Sequence, residues 1–496
     1  MKKIRIEKVK NFRFSSNSRP RTSKNASNSR SPKHSTALFT KLNLANPQLR
    51  SIRNNDQPSI KPRKMFNFFP ETPKKSNLLR TSTHSKRSKI FQIKDKIFNS
   101  SDKRVNIPNG IPIALFLKDF RTELIDLELS EILGYKVIYY WGDNEVKVQK
   151  AAKYKTCDDE SGNLLLFKGD HIAYRYEIVK ILGYGSFGQV CECVDHKDES
   201  RVAVKIIKSP KNFSLQAESE IRILKYIKDT SLDSSLPIIN LQDTFVFRKH
   251  VCIVTELMGP NLYEVQQNKK FCQFPVPLIR SFAIQILTAL KFLNEHKIIH
   301  CDLKLENILV SSSDKKSLKI IDFGSSCFVN EKVFSYIQSR YYRAPEVVLN
   351  LNYSCGIDMW SFGCVLAELA NGKPLFPAEC ERELLQLMMQ VKGKVPDEMI
   401  DKSIKRNKFF VNGNIVPDKY GNVLEPGALL FSEAINGEKL FVELVGKCLE
   451  WNPISRITPQ EALEHPWILA DEPKTLKKSQ ILKLLRRTKF FKNKKP

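Results

Sequence analysis

The chain has 496 residues, 42% of them apolar, so it can bury a globular core and is not disordered throughout. Its formal charge of +28 is concentrated at the ends, with +22 on residues 1–104 and +8 on residues 469–496, which leaves −2 on 105–468. The 11 cysteines include no CxxC pair and no Cys/His ligand spacing, and no apolar run approaches the roughly 18 residues of a membrane span, so a soluble, cytoplasmic protein without a zinc module or disulfide framework is expected.

Residues 1–104 are rich in Ser, Asn, Lys and Arg, and stretches such as 15–20 and 25–32 cannot bury enough surface to offset chain entropy. They read as a disordered basic arm. Its Phe-bearing pieces at 65–69 and 90–97 stand either as docking elements or as plain linker, and Lys86-Arg87-Ser88-Lys89 is a weak nuclear-import signal. At residue 111 the texture changes. Ala114, Leu115, Leu117 and Phe120 recur at helical spacing, Leu124, Leu127, Leu129, Ile132 and Leu133 continue it, and 137–141 reads as a strand or extended segment. This predicts a small folded extension before the main domain. An acidic turn, Asp158-Asp159-Glu160-Ser161-Gly162, then leads into 164–167.

Strand patterns follow at 176–182, 189–194 and 201–207. Between the first two lies Gly183-Tyr184-Gly185-Ser186-Phe187-Gly188-Gln189-Val190, whose glycines let backbone approach phosphate. A strand rather than a helix comes next, which counts against a dinucleotide fold, and the GxxxxGK[ST] phosphate loop is missing. Lys205, in Val202-Ala203-Val204-Lys205, needs a partner inside an apolar strand, and Glu220 on a helix predicted over 218–227 can supply it. Cys191 and Cys193 fall in a strand and read as buried small apolar residues. Residues 255–259 read as a hinge, with backbone groups of Glu256, Leu257 and Met258 placed to bond adenine. Helices are predicted at 279–293, 359–370, 383–389 and 439–449, so a strand-rich front precedes a helical rear: two lobes of α+β character.

The most informative stretch is His300-Cys301-Asp302-Leu303-Lys304-Leu305-Glu306-Asn307, with Asp322-Phe323-Gly324 fifteen residues on. Phosphoryl transfer is catalysed mainly by positioning and charge neutralisation. Asp302 is the candidate proton acceptor, Lys304 the γ-phosphate cation, and Asn307 with Asp322 the Mg²⁺ ligands. Ala344-Pro345-Glu346 closes this segment. Glu346 is expected to pair with Arg456, and Asp358 to clamp the backbone of the catalytic loop.

With these residues in place, 171–468 resembles a eukaryotic protein kinase. The segment Tyr336-Ile337-Gln338-Ser339-Arg340-Tyr341-Tyr342-Arg343-Ala344-Pro345-Glu346, with His300-Cys301-Asp302 and Asp322-Phe323-Gly324-Ser325-Ser326-Cys327, is similar to the dual-specificity tyrosine-phosphorylation-regulated kinases, and 111–141 and 158–163 to the accessory region and homology box of that family's class II branch. The resemblance implies a two-lobed kinase fold, with an antiparallel-sheet N-lobe and a mainly helical C-lobe. The implied organisation is a basic arm (1–104), an accessory region (105–170), a kinase domain (171–468) and a basic amphipathic tail (469–496). It implies ATP and Mg²⁺, with ATP held by Ile181, Leu182, Gly183, Tyr184, Gly185, Ser186, Phe187, Gly188, Gln189, Val190, Lys205 and the hinge. It implies Ser/Thr substrates with a following proline and a preceding arginine, and autophosphorylation on Tyr336. Most kinases carry Arg before the catalytic Asp. Cys301 stands there, so Arg340 and Arg343 are the cations expected to gather a phosphate on Tyr336, unless that tyrosine only packs. Phe334, Leu305, Thr255 and Met258-Gly259-Pro260 depart from the family pattern, and none removes a catalytic group. Protein substrates are the expected partners of a monomer. No specific nucleic-acid binding is expected, and the basic ends could contact an anionic surface. A scaffold without turnover is the alternative class, against which every catalytic part is present.

Overall fold

Alternating apolar residues in 171–256 build one antiparallel sheet. Its strands are β3 (His171–Ile172), β4 (Tyr176–Tyr184), β5 (Gly188–Asp195), β6 (Ser200–Ile207), β7 (Leu241–Phe247) and β8 (His250–Glu256), in the order β3-β4-β5-β6-β8-β7. This computed structural model describes residues 110–147 and 156–470, apart from 186, 210, 232, 234, 315, 333, 334 and 418–420. The basic arm, the import signal, all but the first two tail residues, Ser186 and Phe334 lie outside the described residues. One face of the sheet buries Ile178, Cys191, Cys193, Val202, Val204 and Cys252 under Leu164 and Ile172, so the two cysteines are core residues as predicted. Helix α3 (Lys211–Thr230) sits between β6 and β7 in sequence and extends well beyond the predicted 218–227, since Phe213 and Ala217 continue the spacing of Ile221 and Leu224 toward its start.

The second lobe is helical and is built on α4 (Val276–Glu295) and α5 (Gly356–Asn371), whose Phe282, Ile286, Leu290, Trp360, Phe362 and Leu366 share one core. By length and composition α4 is apolar enough to cross a membrane, which corrects the reading that no segment is. Half of its apolar window is buried within the protein, as in the core helix of a large domain.

The predicted extension forms a separate apolar cluster, with helices α1 (Ile113–Phe120) and α2 (Asp126–Glu131) and strand β2 (Val137–Ile138) paired to β1 (Ile111–Pro112). Phe116, Phe120 and Trp141 pack with ring centroids 5.1–5.4 Å apart. Charge ties it to the sheet. Glu128, 1% exposed, accepts from Lys147 Nζ at 2.8 Å and from His171 Nε2 at 2.9 Å, while Glu131 pairs with Arg248 at 2.9 Å. Burial pushes the Glu128 carboxyl up, but His171 and Lys147 together hold it below its ordinary range. Within the group Glu128, Asp170 and His171, the Lys147 ammonium pairs with the Glu128 carboxylate.

Removing one partner of a buried pair leaves a charge stranded, at a cost of about 3–5 kcal/mol. Glu128→Ala is expected to lower the unfolding free energy by that amount in chemical denaturation, with Lys147 left as the uncompensated group.

Candidate active site

A cavity of about 660 Å³ lies between the lobes. Its roof is the β4–β5 hairpin (Leu182, Gly183, Gly185, Phe187, Gly188 and Val190), its rear Ala203 and Lys205 of β6, its edge the hinge residues 256–258, and its floor Asn307, Leu309 and Asp322. A Cβ on Gly188 would lie 2.1 Å from the Ile206 carbonyl oxygen, so only glycine allows β5 to meet β6 here. Three predicted ATP contacts need correction: Ile181, Tyr184 and Gln189 do not line the cavity. Alternation along β5 turns Gln189 away, and a register shift between Ile181 and Gly183 leaves both Ile181 and Tyr184 off the cavity face. Ile181 and Tyr184 are exposed, and Gln189 is buried with its amide donating to the Leu164 carbonyl.

Lys205 finds its predicted partner. Its Nζ lies 2.8 Å from both oxygens of Glu220 and 2.7 Å from Asp322 Oδ1. Burial works against the ammonium, yet Asp322 and Glu220 hold its pKa above the ordinary lysine range. Burial likewise raises Asp322, and Lys205 outweighs it, leaving that carboxyl down at about 2. Burial pushes Glu220 up, and the shared Lys205 pulls against this. Asp322 has φ 64°, a left-handed backbone that turns its carboxylate to the cavity while Phe323 is fully buried, its ring 5.0 Å from His300.

Asp302 is held at every oxygen. Lys304 donates to Oδ2 at 2.7 Å, and Ser339 donates to Oδ1 through its N–H at 3.0 Å and its hydroxyl at 2.8 Å. Asn307 Nδ2 donates to the Asp302 carbonyl at 2.8 Å, so the amide oxygen is its remaining polar atom. With the Asp322 carboxylate it makes an all-oxygen set that suits a hard divalent cation. Asp358 clamps the loop as expected, accepting from the His300 and Cys301 N–H groups at 2.7 and 3.1 Å, and burial lifts its carboxyl to about 6. Cys301, at φ 65°, is fully buried in the bend this clamp holds.

Tyr336 is 56% exposed, and the Arg343 guanidinium lies 4.0 Å from its ring centre. Partial burial opposes it, but Arg343 and Arg340 hold the phenol below its ordinary pKa. Arg343 also donates to the Ile337 and Gln338 carbonyls at 2.9 and 2.8 Å. The segment ends in the predicted pair, with Arg456 2.7 and 3.0 Å from the Glu346 oxygens. Sequence reasoning missed Ser339, which acts on Asp302 from 37 residues away, and the lining residues Ala203 and Leu309. Counting two residues back from Lys205 and two on from Asn307 would have placed the last two on the cavity face. The cavity also reaches Leu224, Ile239 and Ile253 beside Thr255.

Tyr342 Oη donates to Glu368 Oε2 at 2.7 Å beneath this segment, and burial raises the Glu368 carboxyl from 4.5 to about 7. A raised carboxyl favours the folded state below the unfolded pKa and loses that contribution as pH climbs through the folded one. From pH 5 to pH 8 the stability of Glu368→Gln is therefore expected to rise relative to the parent by up to about 3 kcal/mol in urea unfolding.

A description of the protein kinase domain matches residues 176–468. Dual specificity tyrosine-phosphorylation-regulated kinase 3 of Homo sapiens is 42% identical over 406 residues, covering 76% of this chain and 68% of the human one. The corresponding kinase 4 of Homo sapiens is 41% identical over 377 residues, 73% of this chain and 72% of its own. Serine/threonine-protein kinase ppk5 of Schizosaccharomyces pombe is 42% identical over 370 residues, 73% of this chain and 44% of its own. The two-lobed fold, the joined Lys205, Glu220 and Asp322, and these likenesses place the chain in the family of dual-specificity tyrosine-phosphorylation-regulated protein kinases.

Proposed function

We propose that this kinase transfers the γ-phosphoryl group of ATP to Ser and Thr hydroxyls of protein substrates and, during its own maturation, to Tyr336. One observation carries the reading: Lys205 bonds Glu220 and Asp322 at once, in the cavity that also receives Asn307. Strand β6, helix α3 and the Asp322 turn must be in register for those contacts to close.

The roles follow from chemistry and place. The hinge backbone at 256–258 borders the adenine end of the cavity, and the glycine hairpin roofs its phosphate end. Lys205, fixed by Glu220, faces the α- and β-phosphates. Lys304, bonded to Asp302, neutralises charge on the group in transfer. Asp302, fixed by Ser339, orients the acceptor hydroxyl and takes its proton. Asn307 and Asp322 would hold Mg²⁺, which when bound offsets phosphate charge in a site of low dielectric. A phosphate on Tyr336 gains charge-assisted bonds from Arg343 and Arg340, already beside the ring.

Removing the base from a positioned site costs about 10²–10⁴ in rate. Asp302→Asn is expected to lower kcat toward a basic, proline-containing peptide by at least 100-fold, and retention of parental turnover would overturn the assignment. Protein made in bacteria is expected to carry phosphate on Tyr336 by mass spectrometry, with none in Asp302→Asn. Active enzyme unmodified at Tyr336 would remove the maturation step.

A further inference from the structure

The acidic turn at 157–165 is built to hold one shape. Leu165 N–H donates to the Cys157 carbonyl at 2.8 Å, and Asp158 bridges Leu164 in antiparallel register. Asp159 Oδ1 accepts from the Ser161 and Asn163 N–H groups, each at 2.9 Å, while Oδ2 accepts from Asn163 Nδ2 at 3.0 Å. The turn does not touch the nucleotide cavity. It lies on the opposite face of the sheet, where Leu164 joins the apolar core.

Three contacts carry its shape to the phosphate hairpin. Gln189, 3% exposed, donates from its side-chain amide to the Leu164 carbonyl. Ser209 N–H donates to the Gly162 carbonyl at 3.0 Å. His250, fully buried, lies 3.0 Å from Asp158 Oδ1 and 2.7 Å from the Ile207 carbonyl. Gln189 directly follows Gly188, and Lys208 N–H, one residue before Ser209, donates to the Phe187 carbonyl at 3.0 Å. Phe187 and Gly188 line the cavity. A hairpin with three glycines has much backbone freedom to lose when it closes on phosphate. A brace on its outer face removes part of that freedom before ligand arrives.

We propose that Gln189 is a positioning residue for the nucleotide phosphates, acting through the Leu164 carbonyl so that the turn at 157–165 backs the glycine hairpin. The inference rests on the kinase reading above and deepens it. The hydrogen bond alone supports an effect of a few-fold to tenfold.

The test is steady-state kinetics on the full chain with three variants: Gln189→Met, which keeps volume and loses the donor; Asp159→Ala, which loosens the turn at an exposed position; and the double variant. Each single variant is expected to raise KM for ATP three- to tenfold, with kcat within twofold and peptide KM unchanged. The double variant is expected to be no worse than the more affected single. An unchanged KM for ATP in Asp159→Ala, or losses shared equally by kcat and peptide KM, would overturn the proposal. If Gln189→Met does not fold, Asp159→Ala decides. Calorimetry with ADP separates the two readings: a parent that binds ADP but transfers no phosphate would sink the kinase assignment, and the ADP affinities would still decide the role of Gln189.

Discussion

One half-buried ammonium organises this molecule. Lys205 comes from the sheet, Glu220 from α3 and Asp322 from the turn after the strand Leu318–Ile320, and all three meet within 2.8 Å. A lysine without those carboxylates would sit uncompensated between Val204 and Ile206, both buried. The chain therefore gains most when sheet, helix and turn are aligned, and that alignment is also the geometry of a phosphate site. Stability and competence are coupled through the same contacts.

The catalytic loop is fixed by the same logic. Asp302 could swing, but Lys304, Ser339 and Asn307 restrain it, and Asp358 holds the backbone immediately before it. Ser339 belongs to the activation segment, three residues after Tyr336. The base is thus oriented by the segment whose tyrosine carries the proposed phosphate, which gives that modification a short mechanical route to the chemistry.

Much of this was legible in the chain itself, for a definite reason. Lys205 and Glu220 fall on a strand and a helix that apolar periodicity marks, while Asp302 and Asn307 lie in a short loop whose residue pattern resembles the catalytic loop of protein kinases. The roles expected of Asp358 and of Glu346 with Arg456 lean on the kinase pattern, and the contacts bear them out. The side of the hairpin was harder. Register shifts between Ile178 and Lys180 and between Ile181 and Gly183 break the alternation along β4 from which Ile181 and Tyr184 would have been assigned, whereas Gln189 follows the plain alternation of β5. Glu128 was opaque for another reason. In a six-residue helix, Asp126–Glu131, it looks like one more solvated acid, and its partners Lys147, His171 and Arg248 are distant in sequence.

That distance has a consequence for how the protein is made. Arg248 meets Glu131 across 117 residues, and His171 meets Glu128 across 43. The accessory segment leaves the ribosome early, yet its acids have no complete set of partners until β7 and β8 have emerged. Contacts of such long separation are entropically late. The accessory segment is synthesised before its partners and is among the last of the described parts to be finished. Until then Glu131 lacks its Arg248 partner, although the apolar cluster of Ile132 and Tyr174 draws only on residues 111–174 and can close before it.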